Sequence, residues 1–267
     1  MATGEYPHPT RGVIPKTMEF VINSTLAVMP SWPVLLILWV IVVFGAMIQT
    51  SMGMGFGLTV GPLLALLDPS FVPGATLVLG MFTAFLAALP ERKAIRWSEV
   101  GYALLGRISG VLVAVIFLSA IRGLDTFLLA FGVMILLALL LSVSGWQLAF
   151  NRGSLAAMGA ISGLMGTITS VGAPPLAMIY QNKDPFHARP TLSAFFAIGC
   201  FVSIIGLMIA GWFSRDDIYR VALLLPAMLL GTLIGRKMVS AIDRRYRCAL
   251  WTISGIAAVQ LIIRGLS

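Results

Sequence analysis

Charge is scarce in this chain: 10% of its 267 residues are Asp, Glu, Lys or Arg, and 59% are hydrophobic. Soluble domains carry about 25% charged residues, so composition excludes a soluble domain and implies a helical integral membrane protein. Histidine occurs only at His8 and His187, and cysteine only at Cys200 and Cys248. Neither pair has the spacing of a metal or redox site, and no cofactor motif is present. Acidic residues are missing from the long apolar runs. Asp68, Glu91, Glu99, Asp125, Asp184, Asp216, Asp217 and Asp243 all fall in loops or at run ends. The buried carboxylate expected of a proton or cation relay is therefore absent, and a cationic substrate finds nothing negative waiting for it. The net charge of +8 points to no nucleic-acid partner, because Lys and Arg gather in loops that set membrane topology.

What remains is a series of apolar segments in two sets of five. The first set covers about 32–52, 57–67, 74–90, 100–121 and 124–147; the second covers 154–170, 173–181, 190–212, 217–239 and 246–264. A full span needs about 20 apolar residues, and the second segment of each set is only a half-helix. The order long, short, long, long, long occurs twice, which implies internal duplication. The expected fold is an all-α integral membrane protein of two inverted repeats, about 32–147 and 154–264, in one transport domain spanning 32–267. Each repeat holds a broken or re-entrant helix pair plus three long spans. Residues 1–31 lack a signal-peptide plan and read as a loose tail, with Phe20 to Met29 lying in the interface.

Loop charge orients the halves. If each broken pair returns to its own side, Arg92, Lys93, Arg96, Arg152, Lys183, Arg189, Arg236, Lys237, Arg244, Arg245 and Arg247 share one side. Arg11, Lys16, Arg122, Arg215, Arg220 and Arg264 share the other. A single crossing per pair gives nearly equal sides instead. The positive-inside rule favours the first arrangement, with the richer side in the cytoplasm. Trp32, Trp97, Trp146 and Trp212 sit near run ends, where indole favours the interface. Glycines four apart at 106/110, 159/163 and 231/235 read as close helix packing.

The least helical stretch is Gln49 to Pro62, which places four glycines, three hydroxyls, an amide and a proline in an apolar run. Irregular backbone survives in a membrane only inside protein or beside a water-filled cavity. Offsetting the chain by 113 residues aligns Met52-Gly53 with Met165-Gly166 and Gly61-Pro62 with Pro174-Pro175. Paired broken helices at matching positions mark transporter binding sites. The N–H groups and positive dipole end of each following half-helix would attract an anion. The candidate site residues are Gly53, Gly55, Gly57, Gly166 and Gly172, with Gln49, Thr50, Ser51, Thr167, Thr169 and Ser170 as neutral donors. The competing reading is tight helix crossing with back-bonded hydroxyls. Arg107 is the one charge well inside a run, and both snorkelling to the surface and a substrate role stand open for it. Arg189, ahead of Pro190-Thr191, reads as a topology anchor or as a gate.

Gly45 to Pro62 with Pro73-Gly-Ala-Thr-Leu77, and Gly163-Leu-Met-Gly166, Gly172-Ala-Pro-Pro175 and Ala188-Arg-Pro-Thr-Leu192 in the second half, resemble the sulfite exporter TauE/SafE family over roughly 33–264. The resemblance implies transport of sulfur-containing anions, sulfite or organosulfonates, across the prokaryotic inner membrane. The second copy departs from the family pattern, with Thr167-Ile-Thr-Ser170 where a glycine run is usual. Anion-selective channel, uptake permease and non-transporting assembly subunit are the competing readings. Intramembrane enzyme motifs are missing. The implied partners are a small anion and the lipid bilayer, and nothing in the sequence indicates an oligomer.

Overall fold

The computed structural model describes residues 30–121, 123–238 and 244–266, with the side chains of 244–251 and 253 left out. The tail with its interfacial stretch, Arg11, Lys16, Arg122 and Asp243 lie outside the described residues, as do the side chains of Arg244, Arg245, Arg247 and Cys248. Ten α-helices are described, with no strand among the described residues. They are α1 (Trp32–Met52), α2 (Phe56–Leu67), α3 (Gly74–Ala88), α4 (Trp97–Ala120) and α5 (Leu124–Val143), then α6 (Arg152–Thr169), α7 (Ala173–Tyr180), α8 (Pro185–Ile209), α9 (Arg215–Lys237) and α10 (Arg244–Leu266). Short 3-10 turns at Pro69–Phe71 and Leu89–Ala94 flank α3. Six segments are long and apolar enough to cross a membrane: α1, α3 with the turn after it, α4, α5, α8 and α9. The protein is a multi-pass integral membrane protein.

Helix α6 is not among those six because it carries four glycines and four hydroxyl side chains. It need not face lipid, since it packs along α4 and touches α7 and α8. Gly106 and Gly110 meet the Ala156 and Ala160 carbonyls, while Gly159 and Gly163 meet those of Ala103 and Arg107. No Cβ fits at any of the four, so the expected small-residue packing becomes a backbone-to-backbone zipper. Gly231 and Gly235 of α9 seat against the Val43 and Met47 carbonyls of α1 in the same way. Neighbouring contacts show that α4, α6 and α8 run in one direction. Arg96, the residue before α4, and Arg107 within it bond Thr191 and Ser203 of α8. Helices α1, α3 and α9 are likewise parallel to one another, with Trp39 and Ser51 bonded to Leu223 and Gly235, and Arg236 reaching Leu86.

The principal helix contacts keep their pattern when α1–α5 are exchanged in order with α6–α10. Helix α4 on α6 exchanges with α9 on α1, α4 on α8 with α9 on α3, and α2 on α10 with α7 on α5. Proline leaves a carbonyl four residues earlier without its helical donor, and contacts between distant helices fill two such gaps. Ser254 Oγ donates to Leu58 O, opposite Pro62, and Arg236 Nη2 donates to Leu86 O, opposite Pro90.

Two expectations are corrected by the helix ends. The two breaks align at an offset of 117, one helical turn beyond 113: α1 ends at Met52 with Gly53 as cap, and α6 ends at Thr169 with Ser170 as cap. The second break is therefore Ser170–Gly172, and Gly166 and Thr167 are helical. Helix α8 begins at Pro185, not 190, so Arg189 belongs to its first turns. Trp32 and Trp97 are exposed at helix starts, and Trp146 is exposed in the irregular stretch after α5. Trp212 instead packs on Phe127 and donates to Leu118 O.

Candidate functional site

The two breaks meet. Gly53 and Gly55 hold φ of 79° and 115°, left-handed values that side chains rarely adopt. The chain turns there from α1 into α2, and Gln49 secures the turn: its Nε2 donates to Gly53 O at 3.0 Å, and its Oε1 accepts from Phe56 N–H at 3.2 Å. Gly57 then approaches Ser170 so closely that a Cβ would overlap the Ser170 carbonyl. Ser170 itself takes φ of 64°, and its hydroxyl donates to Pro73 O at 3.2 Å.

Between the breaks is a cavity of about 30 Å³, lined by Gln49, Gly55, Gly57, Ser170, Gly172 and Arg107, with Leu58, Thr76, Phe196 and Cys200 among the other walls. That volume is about one water molecule's share of the liquid. The N–H groups of Gly57 and Leu58 occupy the positive end of α2, beyond the position that Gln49 caps. Helix α7 offers fewer donors, because Pro174 and Pro175 supply no N–H in its first turn.

Arg107 decides the electrostatics. It does not snorkel. Helix α4 starts at Trp97, so Arg107 lies ten residues in, about 15 Å along the axis, and is 1% exposed. Its Nη1 donates to Ser162 Oγ and its Nη2 to Ser203 Oγ, both at 3.1 Å. Phe195 and Phe196 flank the guanidinium at 5.3 and 6.0 Å, and Gly166, Gly172 and Gly199 leave the space it fills. Ion pairs join Arg96 to Glu99, Arg189 to Glu91 and Arg220 to Asp217. Among the described residues no carboxylate pairs with Arg107, and its Nε has no partner. A guanidinium carries five N–H donors; two are spent on serines, and Arg107 forms part of the cavity wall. A full positive charge, fixed in place and uncompensated, is suited to an oxyanion.

The other candidates divide by position. Thr167 stands behind Arg107, donating to Gly163 O and bonded to Ser203 Oγ at 2.9 Å. Thr169 is a break cap: its hydroxyl donates to Met165 O and accepts from Val171 N–H. Thr50 lies against Gly235 of α9 and Ser51 donates to Gly235 O, so both serve the α1–α9 contact and not the central cavity. For Ser51 and Thr169 the close-packing reading describes the structure better than the ligand reading, whereas Thr50 Oγ1 is buried without a hydrogen-bond partner. Ser51, Met54, Glu91, Tyr180, Lys183 and Arg189 line a separate vestibule of about 450 Å³. Arg189 is paired there with Glu91 through Nε at 3.1 Å and through Nη2.

Ser162, Ser203, Thr76 and Cys200 were not legible as site residues. Ser162 precedes Gly166 by one turn and Ser203 follows Gly199 by one turn, a signal visible only once Arg107 is known to point at them.

The model of the Sulfite exporter TauE/SafE family matches residues 37–261, most of the chain and both breaks. The chain belongs to the TauE/SafE family. This is a family of membrane transporters, and the matched region of this member contains every residue of the central cavity and the vestibule. No curated protein and no solved structure matches the chain.

Proposed function

We propose that this TauE/SafE protein is a secondary transporter that carries a small sulfur-containing oxyanion, sulfite or an organosulfonate, out of the prokaryotic cytoplasm by alternating access. The observation that carries the reading is Arg107: a buried guanidinium without a carboxylate partner, at the junction of two helix breaks. Placing an arginine at bilayer depth costs at least about 2.5–3.5 kcal/mol, and a ligand anion is the partner that would offset it. The parallel sets α1, α3, α9 and α4, α6, α8 support inverted halves, since each helix of the first set has its counterpart running the opposite way. Arg92, Lys93, Arg96, Arg152, Lys183, Arg189, Arg236 and Lys237 lie at the vestibule's end. The positive-inside rule places that end in the cytoplasm, so the vestibule is the inward mouth. An anion leaving an inside-negative cell gains about 2.3 kcal/mol per charge per 100 mV. Export needs no buried acid for coupling. The separation of the vestibule from a cavity of about 30 Å³ favours a carrier over a continuous channel.

The test is sulfite efflux from proteoliposomes, with sulfate, taurine-like sulfonates and small carboxylates as comparison anions. Saturable efflux is expected, with Arg107→Gln reducing it more than about tenfold, since each lost charge-assisted hydrogen bond is worth about 1.5–3 kcal/mol. Equal rates for both proteins, or no anion transported by the wild type, would overturn the reading.

A further inference from the structure

The vestibule has its own cation, and that cation is already occupied by an internal anion. Arg189 of α8 holds Glu91, which belongs to the 3-10 turn after α3. The pair therefore joins an element of the first half to an element of the second. His187 Nδ1 with Ala94 O and Arg96 N–H with Thr191 Oγ1 tie the same two segments beside it. Gly53, the cap of α1, fits against the Arg189 backbone with no room for a Cβ. A shift of Arg189 would press directly on the first break.

Three features make this pair exchangeable and not a fixed strut. Its side chains are 17% and 33% exposed, so solvent screens it, and such pairs are weak. Arg189 Nη1 is buried with no partner, so Glu91 leaves part of the guanidinium fork unused. Lys183, also on the vestibule wall, lies over the Phe150 ring at 3.9 Å and not against a carboxylate. Tyr180, the remaining titratable wall residue, is committed to Glu99 at 2.8 Å. Two cations and one carboxylate leave the wall with a net positive charge. Its volume of about 450 Å³ falls within the range of small-ligand pockets, whereas the central cavity has the volume of about one water.

We propose that the vestibule is a second anion site, where an incoming oxyanion, sulfite or a short-chain sulfonate, displaces Glu91 from Arg189 and thereby releases the clasp between α8 and the turn after α3. The proposal rests on the reading of the chain as an anion transporter. An oxyanion matches the guanidinium fork as a carboxylate does and uses the idle Nη1 as well. Binding shifts the protein toward the unclasped state only by its preference for that state, and the freed Arg189 supplies that preference.

The experiment measures sulfite binding to purified full-length protein by calorimetry, against chloride at matched ionic strength, in an Arg107→Gln background that removes the central site. Residual sulfite binding is expected there. Adding Glu91→Gln removes the competitor and should tighten that binding about fivefold, while adding Arg189→Gln should abolish it. Arg189→Lys, which keeps the charge but not the fork, should retain weak binding and serves if Arg189→Gln does not fold. Loss of all binding in Arg107→Gln, or weaker binding with Glu91→Gln, would overturn the second site while the transporter reading stands. Absence of sulfite binding by the wild type would overturn both.

Discussion

Arg107→Gln separates the two roles a buried arginine can have. A structural arginine paired with a carboxylate leaves that group stranded when it is removed, at about 3–5 kcal/mol. Arg107 strands nothing of the kind. Ser162 keeps its bond to Gly172 O at 2.6 Å, and Ser203 keeps the Thr167 hydroxyl at 2.9 Å. Glutamine can hold one serine, so one charge-assisted hydrogen bond of about 1.5–3 kcal/mol is lost. Removal of a charge costing at least about 2.5–3.5 kcal/mol is gained. The two offset to within about 2 kcal/mol, which at roughly 2–4 °C per kcal/mol for a chain of about this size limits the ligand-free change in Tm to about 8 °C. Sulfite at about 100 times its Kd stabilises the wild type by about 2.7 kcal/mol, or roughly 5–10 °C. The assay is a thermal melt in detergent, with and without sulfite. In an Arg189→Gln background, which removes the vestibule site, Arg107→Gln should melt close to its parent without ligand and lose the sulfite shift. A ligand-free fall well beyond 10 °C would make Arg107 a packing residue, and a sulfite shift retained with Arg189 also replaced would remove it from the site.

Gly57→Ala forces a methyl into the Ser170 carbonyl; overpacking of this kind costs about 1–3 kcal/mol, and sulfite efflux should fall more than about tenfold while folded protein is still recovered, as judged by monodispersity on size exclusion. Gly163→Val separates α4 from α6 at the Arg107 carbonyl, so it should lower Tm by several degrees and reduce the sulfite shift together, whereas an unchanged Tm would show that the zipper is not under close contact. In a cysteine-free background, single cysteines at 93 and 183 should react with an impermeant thiol reagent from one side of the membrane and a cysteine at 214 from the other; labelling of 93 and 183 from opposite sides would end the inverted arrangement.

The helices were legible because lipid and packing write strong, local signals: ten apolar segments, two of them short, correspond to the ten described helices. The breaks were legible for the same reason, since glycine and hydroxyl residues in an apolar run are conspicuous. Their register was not. Met-Gly at 52–53 and 165–166 suggested an offset of 113, but a helix ends where its hydrogen bonds end, and Ser170 in a left-handed conformation caps α6 one turn later. Thr50, Ser51 and Thr169 show the same limit, because a hydroxyl within three residues of a break can face either a ligand or the neighbouring helix.

Composition and pattern alone determined that this chain lives in a membrane, that it is helical, and that its long apolar runs carry acidic residues only at their ends. Those properties depend on residue type and spacing, which hydration and helix geometry translate directly. Only the tertiary structure decided where Arg107 points, because snorkelling and burial are compatible with the same helix. The α4–α6 glycine zipper settles it by bringing Ser162 within reach, while α8 contributes Ser203 from the other side. Tertiary packing also separated the central cavity from the vestibule, by setting Gly57 against Ser170 and Arg189 against Glu91 across the two halves.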